Sequence, residues 1–288
     1  MVVQIIINSI VIGSMFALIA SGFTLIYGAM NFFNMAFGTT VLSGAYTFYF
    51  FYRILNLPII PSGILACVFT SLLMLIIDRA FYYGFRQKRN PGWSGVAASM
   101  AVGILLESLT AITFGTRSRS VYKGIPKSFS VFGAHITTVQ TAILFIALII
   151  ILCTGLFLKK TRIGKIIRAI ADNREMAKVV GIDVEKAFLA IITISSVLAT
   201  IAGALSGLNT DIRPGIASSS LLKAIVASII GGVGNARGAL AAGLLIGFLE
   251  TLVVFFAGGG WRDAVPLVLI VAFMLIRPEA FGIEETKA

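Results

Sequence analysis

The sequence predicts an all-α, polytopic integral membrane protein with eight or nine transmembrane helices, some of them discontinuous or re-entrant. Three observations lead there. Hydrophobic residues make up 58% of the 288 positions and charged residues 12%, with a mean hydropathy of +0.99. A soluble domain carries about 25% charge and could not cover its surface in water with half of that. Apolar runs recur along the whole chain, and about 20 such residues suffice to cross a bilayer as a helix. The charges fall between the runs, and eight of the 23 Lys and Arg lie in one polar island, residues 159–186. The net charge of +11 is therefore loop charge on a membrane protein. It does not form a phosphate-binding face, and no nucleic-acid partner is expected.

The first run, residues 2–27, lacks the positive segment of a secretory signal, so it is read as a retained span. Its small residues, among them Gly13, Ser14, Ser21 and Gly22, suit close helix packing in lipid. The uncharged stretch 28–38 then breaks the pattern, with Gly at both ends and Asn31 and Asn34 inside. Irregular backbone at membrane depth is tolerated only when buried in protein or lining a cavity. Further runs cover residues 39–52, 58–77, 93–114 and 138–158, with Glu107 inside the third of these. A polar turn, 78–92, carries Arg79, Arg86, Lys88 and Arg89, and a polar loop, 115–137, carries four basic residues and no acid. After the island come a run at 187–208 and a polar connection at 209–220 containing Asp211, Arg213 and Pro214. Residues 221–256 are apolar but interrupted by glycines at 231–238, so 221–230 reads as a half-helix or as a tilted span. That ambiguity leaves the count at eight or nine. The last run is 264–276, bounded by Trp261 and Arg277.

Loop charge sets the orientation. The basic stretches 78–92 and 159–186 are two spans apart, so they share a side, which the positive-inside rule makes cytoplasmic. Parity then puts the N-terminus and loop 115–137 outside, although that loop's basic residues run against the rule. Cys67 and Cys153 lie in apolar runs and read as small buried hydrophobes. His135 has no clustered ligand and forms no metal site.

The island has internal pattern. Ile163, Ile166, Ile167 and Ile170 form an apolar stripe at helical spacing, with Lys165 and Arg168 on other faces. Asp172 and Glu175 have capping-box spacing, so a second short helix is expected to begin there. Gly181 is a natural stop, and Asp183 can cap the next span. Two short amphipathic helices fit a groove-docking partner and an anionic lipid surface equally well.

The run Thr161, Gly164, Arg168, Ala169, Asn173, Ala177, Gly181, Ile182 resembles the cytoplasmic coupling loop of permease subunits of branched-chain amino-acid ABC importers, the LivH type. Near the N-terminus, Asn34, Ala36 and Gly38 match the family's Asn-Phe-Ala-His-Gly pattern, while Met35 and Phe37 stand where Phe and His are usual. Late in the chain, Lys223, Ala224, Gly231, Gly232, Gly234, Gly238, Ala239 and Glu250 match a third segment.

The resemblance implies a single transmembrane permease domain over residues 1–288, with 159–186 as its cytoplasmic coupling loop, in a multi-pass protein of the bacterial inner membrane. It implies that Thr161, Gly164, Arg168, Ala169, Asn173, Ala177, Gly181 and Ile182 meet an ATPase. Asn34, Gly38, Gly231, Gly232 and Gly234 are the candidates for the translocation path, although the glycines equally suit tight helix packing. The implied partners are a second homologous permease, two cytoplasmic ATP-binding subunits, a soluble substrate-binding protein and the lipid bilayer. No G-x-x-x-x-G-K-[ST] occurs in the chain. The expectation is a non-enzymatic transport subunit with no cofactor of its own, ATP and Mg being held by the ATPases. Urea or short-amide import by the same permease type, or ion-coupled secondary transport, are the alternatives. Glu107 and Glu250, inside apolar runs with no sequence partner in view, are read as structural or helix-pairing carboxylates.

Overall fold

A computed structural model describes residues 2–276 apart from 31, 87–91, 123, 125–126, 132–133 and 233. Asn31, Lys88, Arg89, Lys123 and Arg277, which the sequence reading used, lie outside the described residues.

Helix α1 (Val2–Met30) is the central element, buried along most of its length beyond Ser9. Two of its hydroxyls bond back to their own helix, and Thr24 donates to Ser228. Ser14 and Ser21 donate to the carbonyls of Val11 and Leu18 at 2.8 and 2.9 Å. The expected break is shorter than 28–38, because α1 continues to Met30 and α2 (Phe37–Tyr49) begins soon after. A π-helical turn, Phe50–Ile54, extends α2. Helix α3 (Ile59–Ile77) runs on through a π turn, Asp78–Tyr82, into a short α4 (Tyr83–Arg86). Helix α5 (Gly92–Phe114) is followed by a loop holding a small antiparallel hairpin, β1 (Ser128–Val131) with β2 (Ala134–Thr137). Helix α6 (Thr138–Lys160) starts with a capping box of Thr137 and Gln140. The island forms α7 (Arg162–Asp172) and α8 (Arg174–Val179). Then come α9 (Val184–Asn209), α10 (Ile216–Gly231), α11 (Ala236–Ala257), a 3₁₀ turn at Gly259–Trp261, and α12 (Ala264–Ile276).

Six helices among the described residues are long and apolar enough to cross a membrane, and α10 and α12 are shorter apolar helices. Helix α10 begins earlier than the sequence reading placed it. Ser218, Ser219 and Ser220 join it, and the Ser219 hydroxyl folds back on the Ile216 carbonyl at 3.3 Å. Its 16 residues reach about 24 Å at 1.5 Å per residue, most of a hydrocarbon core of about 30 Å.

Small residues set the packing. A Cβ on Gly247 would run into the backbone of Gly13, and one on Gly243 into Ala17, so α1 and α11 meet through small residues four apart on each helix. Gly44 and Gly203 do the same where α2 crosses α9.

Contacts sort the connections onto two faces. On one, the Gln4 side chain clamps the His135 backbone at 3.0 and 2.7 Å, and Arg119 pairs with Ile212 through two backbone bonds. The N-terminus, the hairpin loop and residues 209–213 therefore lie together. On the other face, the end of α1, α7 and the glycine break meet. This grouping agrees with the loop parity. Arg119, one of the basic residues that ran against the charge rule, donates to the Phe114 carbonyl at 3.0 Å and caps the end of α5.

Candidate functional site

The island is built by its caps. Thr161 Oγ1 accepts from the Gly164 N–H at 2.9 Å and starts α7. Gly164 cannot be larger, because a Cβ there would lie 2.5 Å from the Phe157 carbonyl oxygen and 2.6 Å from the Leu158 Cα. The expected start of the second helix at Asp172 is corrected by one residue. Asn173 takes the extended backbone and caps α8, its Oδ1 accepting from the Met176 N–H at 3.0 Å. Helix α8 ends in a Schellman motif: Gly181, at φ +85°, donates to Lys178 O, and Ile182 donates to Ala177 O, both at 3.0 Å. Asp183 then caps α9 through the Lys186 N–H at 3.1 Å, and that backbone bond holds its carboxyl below the usual range.

The apolar stripe is rotated from the expected one. Gly164, Ile167 and Ile170 are buried, Ile166 is half-buried, and Ile163 is exposed. The stripe faces the bundle and is spent on packing. What α8 shows to solvent is a patch the sequence reading missed: Met176, Val179 and Val180, exposed at 58%, 80% and 77%. These three side chains form an exposed apolar patch on an otherwise polar loop. A sharper reading of the island would have asked which apolar residues lie outside the stripe.

The eight coupling candidates divide accordingly. Thr161 and Asn173 cap, Gly164 and Ala177 pack, and Gly181 and Ile182 form the stop. Ala169 is exposed. Arg168 folds back on its own loop, making long contacts to the carbonyls of Gly164 and Lys159 at 3.4 and 3.5 Å.

Two of the predicted groups come together. A cavity of about 270 Å³ is lined by Arg168 and Ala171 of α7, by Ser21 and Thr24 of α1, and by Gly234 and Arg237 at the glycine break. Beside it, a Cβ on Gly28 would sit 3.2 Å from the Ala171 Cβ and 3.3 Å from the Gly234 Cα. The end of α1, the island and the break thus share one joint.

Within the break, Gly232 and Gly234 have φ of +85° and +80°, and Asn235 caps α11 through the N–H groups of Arg237 and Gly238. The close approach is at Gly231, where a Cβ would strike Gly238, and not at Gly232, whose Cβ would meet nothing nearer than 3.9 Å. Asn34 and Gly38 lie elsewhere. Asn34 is buried and accepts from the Ala36 N–H at 3.0 Å, shaping the entry to α2. A Cβ on Gly38 would strike the Ala217 carbonyl of α10.

The two membrane carboxylates also part company. Glu107 is half-buried. Glu250 has partners that the sequence did not reveal: Lys223 Nζ of α10 lies 3.0 Å from one carboxylate oxygen, and Arg262 Nε lies 2.7 Å from the other. Both contacts have ion-pair distance without hydrogen-bond alignment.

The match to known proteins covers nearly all of this architecture. Residues 5–274 match the family described as "Branched-chain amino acid transport system / permease component". The chain belongs to that family. The high-affinity branched-chain amino acid permease protein LivH of Escherichia coli K12 is 28% identical over 285 residues, which is 94% of this chain and 92% of LivH. BraD of Pseudomonas aeruginosa, with the same description, is 26% identical over 287 residues, covering 96% of this chain and 94% of BraD. A probable LivH of Methanocaldococcus jannaschii is 28% identical over 295 residues, covering 94% and 89%. Among solved structures, PsaBC from Streptococcus pneumoniae in complex with Fab shares the fold. Its TM-score is 0.54 at 14% identity, over 97% of this chain and 92% of that one. The family and the six apolar helices make this a multi-pass protein of the inner membrane.

Proposed function

We propose that this chain is one transmembrane half of an ATP-driven importer of branched-chain amino acids, and that residues 159–186 are the surface on which an ATPase subunit acts. The joint of Gly28, Ala171 and Gly234 carries the reading. Helix α7 is pinned to α6 by Gly164, and its Ile167 and Ile170 are buried, so it moves as part of the bundle and not as a tether. A push on α8 is delivered through Ala171 to α1 and the break. Helix α1 in turn packs on α9, α10 and α11. Packed interiors transmit displacement because they have little free volume.

The occupant of the Met176–Val179–Val180 patch is the ATPase, which lays a groove over the island's two short helices. ATP and Mg are held by two such subunits, and this chain catalyses no reaction. A second, homologous permease completes the pathway, and a soluble binding protein delivers substrate to the opposite face. Likeness to LivH and BraD over almost their whole length supports a branched-chain substrate.

The test is uptake of labelled leucine by proteoliposomes holding the assembled complex with its binding protein. ATP in the lumen should drive uptake that isoleucine and valine compete. Uptake driven by an ion gradient without ATP would replace this reading with secondary transport. Uptake of urea or a short amide, with none of leucine, would replace the substrate.

A further inference from the structure

On the face opposite the island lies a polar cavity of about 360 Å³, floored by Lys223 and Glu250 of the third matching segment, to which the sequence reading assigned no ligand. That volume falls within the range of about 300–1,000 Å³ typical of small-ligand sites. Its depth is formed by the buried Lys223 and Glu250, whose side chains are 7% and 1% exposed. Its mouth carries Arg262, Asp263, Asp211 and Arg213, and one wall is apolar: Ile12, Met15, Phe16 and Ile19 of α1.

The charge arrangement exceeds what helix pairing needs. One cation neutralises one carboxylate, yet Glu250 has two, Lys223 at 3.0 Å and Arg262 at 2.7 Å. The triad therefore carries a net positive charge, running from Lys223 and Glu250 at the floor to Arg262 at the mouth, beside an apolar wall. Asp263 offsets it only in part, lying 3.9 Å from Lys223 with a side chain 63% exposed. Lysine has three donors and arginine five, so both retain N–H groups beyond those directed at Glu250. Lys223 also sits 4.4 Å from the centre of the Phe16 ring, which holds its ammonium at the boundary between floor and wall. Counted together, Lys223, Arg262 and Arg213 balance Glu250, Asp263 and Asp211. A site with a buried Lys223, a partly exposed Arg262, two outer carboxylates in Asp263 and Asp211, and an apolar flank matches one chemistry: a zwitterion with an apolar side chain.

We infer that this cavity is a binding site for a free α-amino acid on the substrate-delivery face. The substrate carboxylate lies against Lys223 and Arg262. The ammonium lies toward Asp263 and Asp211, and the side chain lies along Ile12, Met15, Phe16 and Ile19. Glu250 is a positioning residue that holds the two cations. The inference rests on the chain being an amino-acid importer, and it adds where in this subunit the amino acid first lands.

The test reads binding without turnover, so it can fail separately from ATP-driven uptake. In the assembled complex, with Cys67 and Cys153 replaced by Ala, Ser219→Cys places a thiol in the cavity lining. Its rate of modification by a charged, water-soluble thiol reagent is measured with and without ligand. Leucine should slow the reaction. Leucinamide, which lacks the carboxylate, and 4-methylpentanoate, which lacks the ammonium, should not. Lys223→Met should weaken the protection by leucine at least about tenfold, the value of one lost charge-assisted contact. If that variant fails to assemble, the exposed Asp263→Asn should still assemble and weaken protection roughly two- to fivefold. A thiol that does not react, no protection by leucine, or equal protection by all three compounds would overturn the site. ATP-driven leucine uptake alongside any of those results would leave the transport reading standing and remove this cavity from it.

Discussion

Gly28 is the position at which the coupling account is most exposed. Its hydrogen faces α7 and the glycine break, and an added Cβ would stand 3.2 Å from Ala171 Cβ and 3.3 Å from Gly234 Cα. A methyl group there needs its neighbours to give by a few tenths of an ångström. Gly28→Ala is therefore expected to assemble and to transport at a reduced rate. Gly28→Leu adds three more carbons beyond a Cβ that is already tight against Ala171 and Gly234, and is expected to hold the joint open. Overpacking of this kind costs about 1–3 kcal/mol. If that cost falls on the conformation in which α7, α1 and the break move together, coupling falls about 5- to 150-fold. The assay is leucine imported per ATP hydrolysed in proteoliposomes, with subunit stoichiometry checked by gel. The expected result is an intact complex that hydrolyses ATP and moves little leucine. Wild-type import per ATP in Gly28→Leu would refute the reasoning, because the joint would then transmit nothing.

Three further expectations follow from the same geometry. Gly231→Ala should abolish transport, because its Cβ strikes Gly238, whereas Gly232→Ala meets only an ordinary contact and should keep transport while losing about 1–3 kcal/mol to its strained positive-φ backbone, read by thermal unfolding. Val179→Asp with Val180→Asp should leave the permease in the membrane and strip the ATPase subunits on copurification, since both side chains are exposed; full retention would show that the patch docks nothing. Glu250→Gln leaves the buried Lys223 beside a neutral amide, and breaking such a pair costs about 3–5 kcal/mol, so the yield of assembled complex should fall while half-buried Glu107→Gln stays near wild type.

The elements most legible in the sequence were those set by local pattern. Apolar length marked the long helices, and the cap at Asp183 and the stop at Gly181 stood where short-range chemistry puts them. Local pattern misled where two choices were nearly equal. Asp172 and Asn173 are both good caps, and only the extended backbone at Asn173 decides between them. Among four isoleucines, the burial of Gly164 against α6 rotates α7 so that Ile163 points out. Glycines could be counted but not ranked, since close approach at Gly231 and backbone twist at Gly232 are properties of the packed helices. The ion cluster was beyond reach for a similar reason. Lys223, Glu250 and Arg262 sit on α10, on α11 and after it, and no periodicity links them.

The central claim, that the island is where an ATPase subunit drives this permease, is tested most directly by a covalent link. Val180→Cys, in a complex with Cys67 and Cys153 replaced by Ala, is treated with a short bifunctional thiol reagent against single cysteines in the groove of the ATPase. The account predicts a permease–ATPase adduct whose yield changes between nucleotide-free and ATP-trapped complexes. It also predicts no such adduct from Asp211→Cys on the opposite face. Absence of an adduct from Val180→Cys in a complex that still imports leucine with ATP would contradict it.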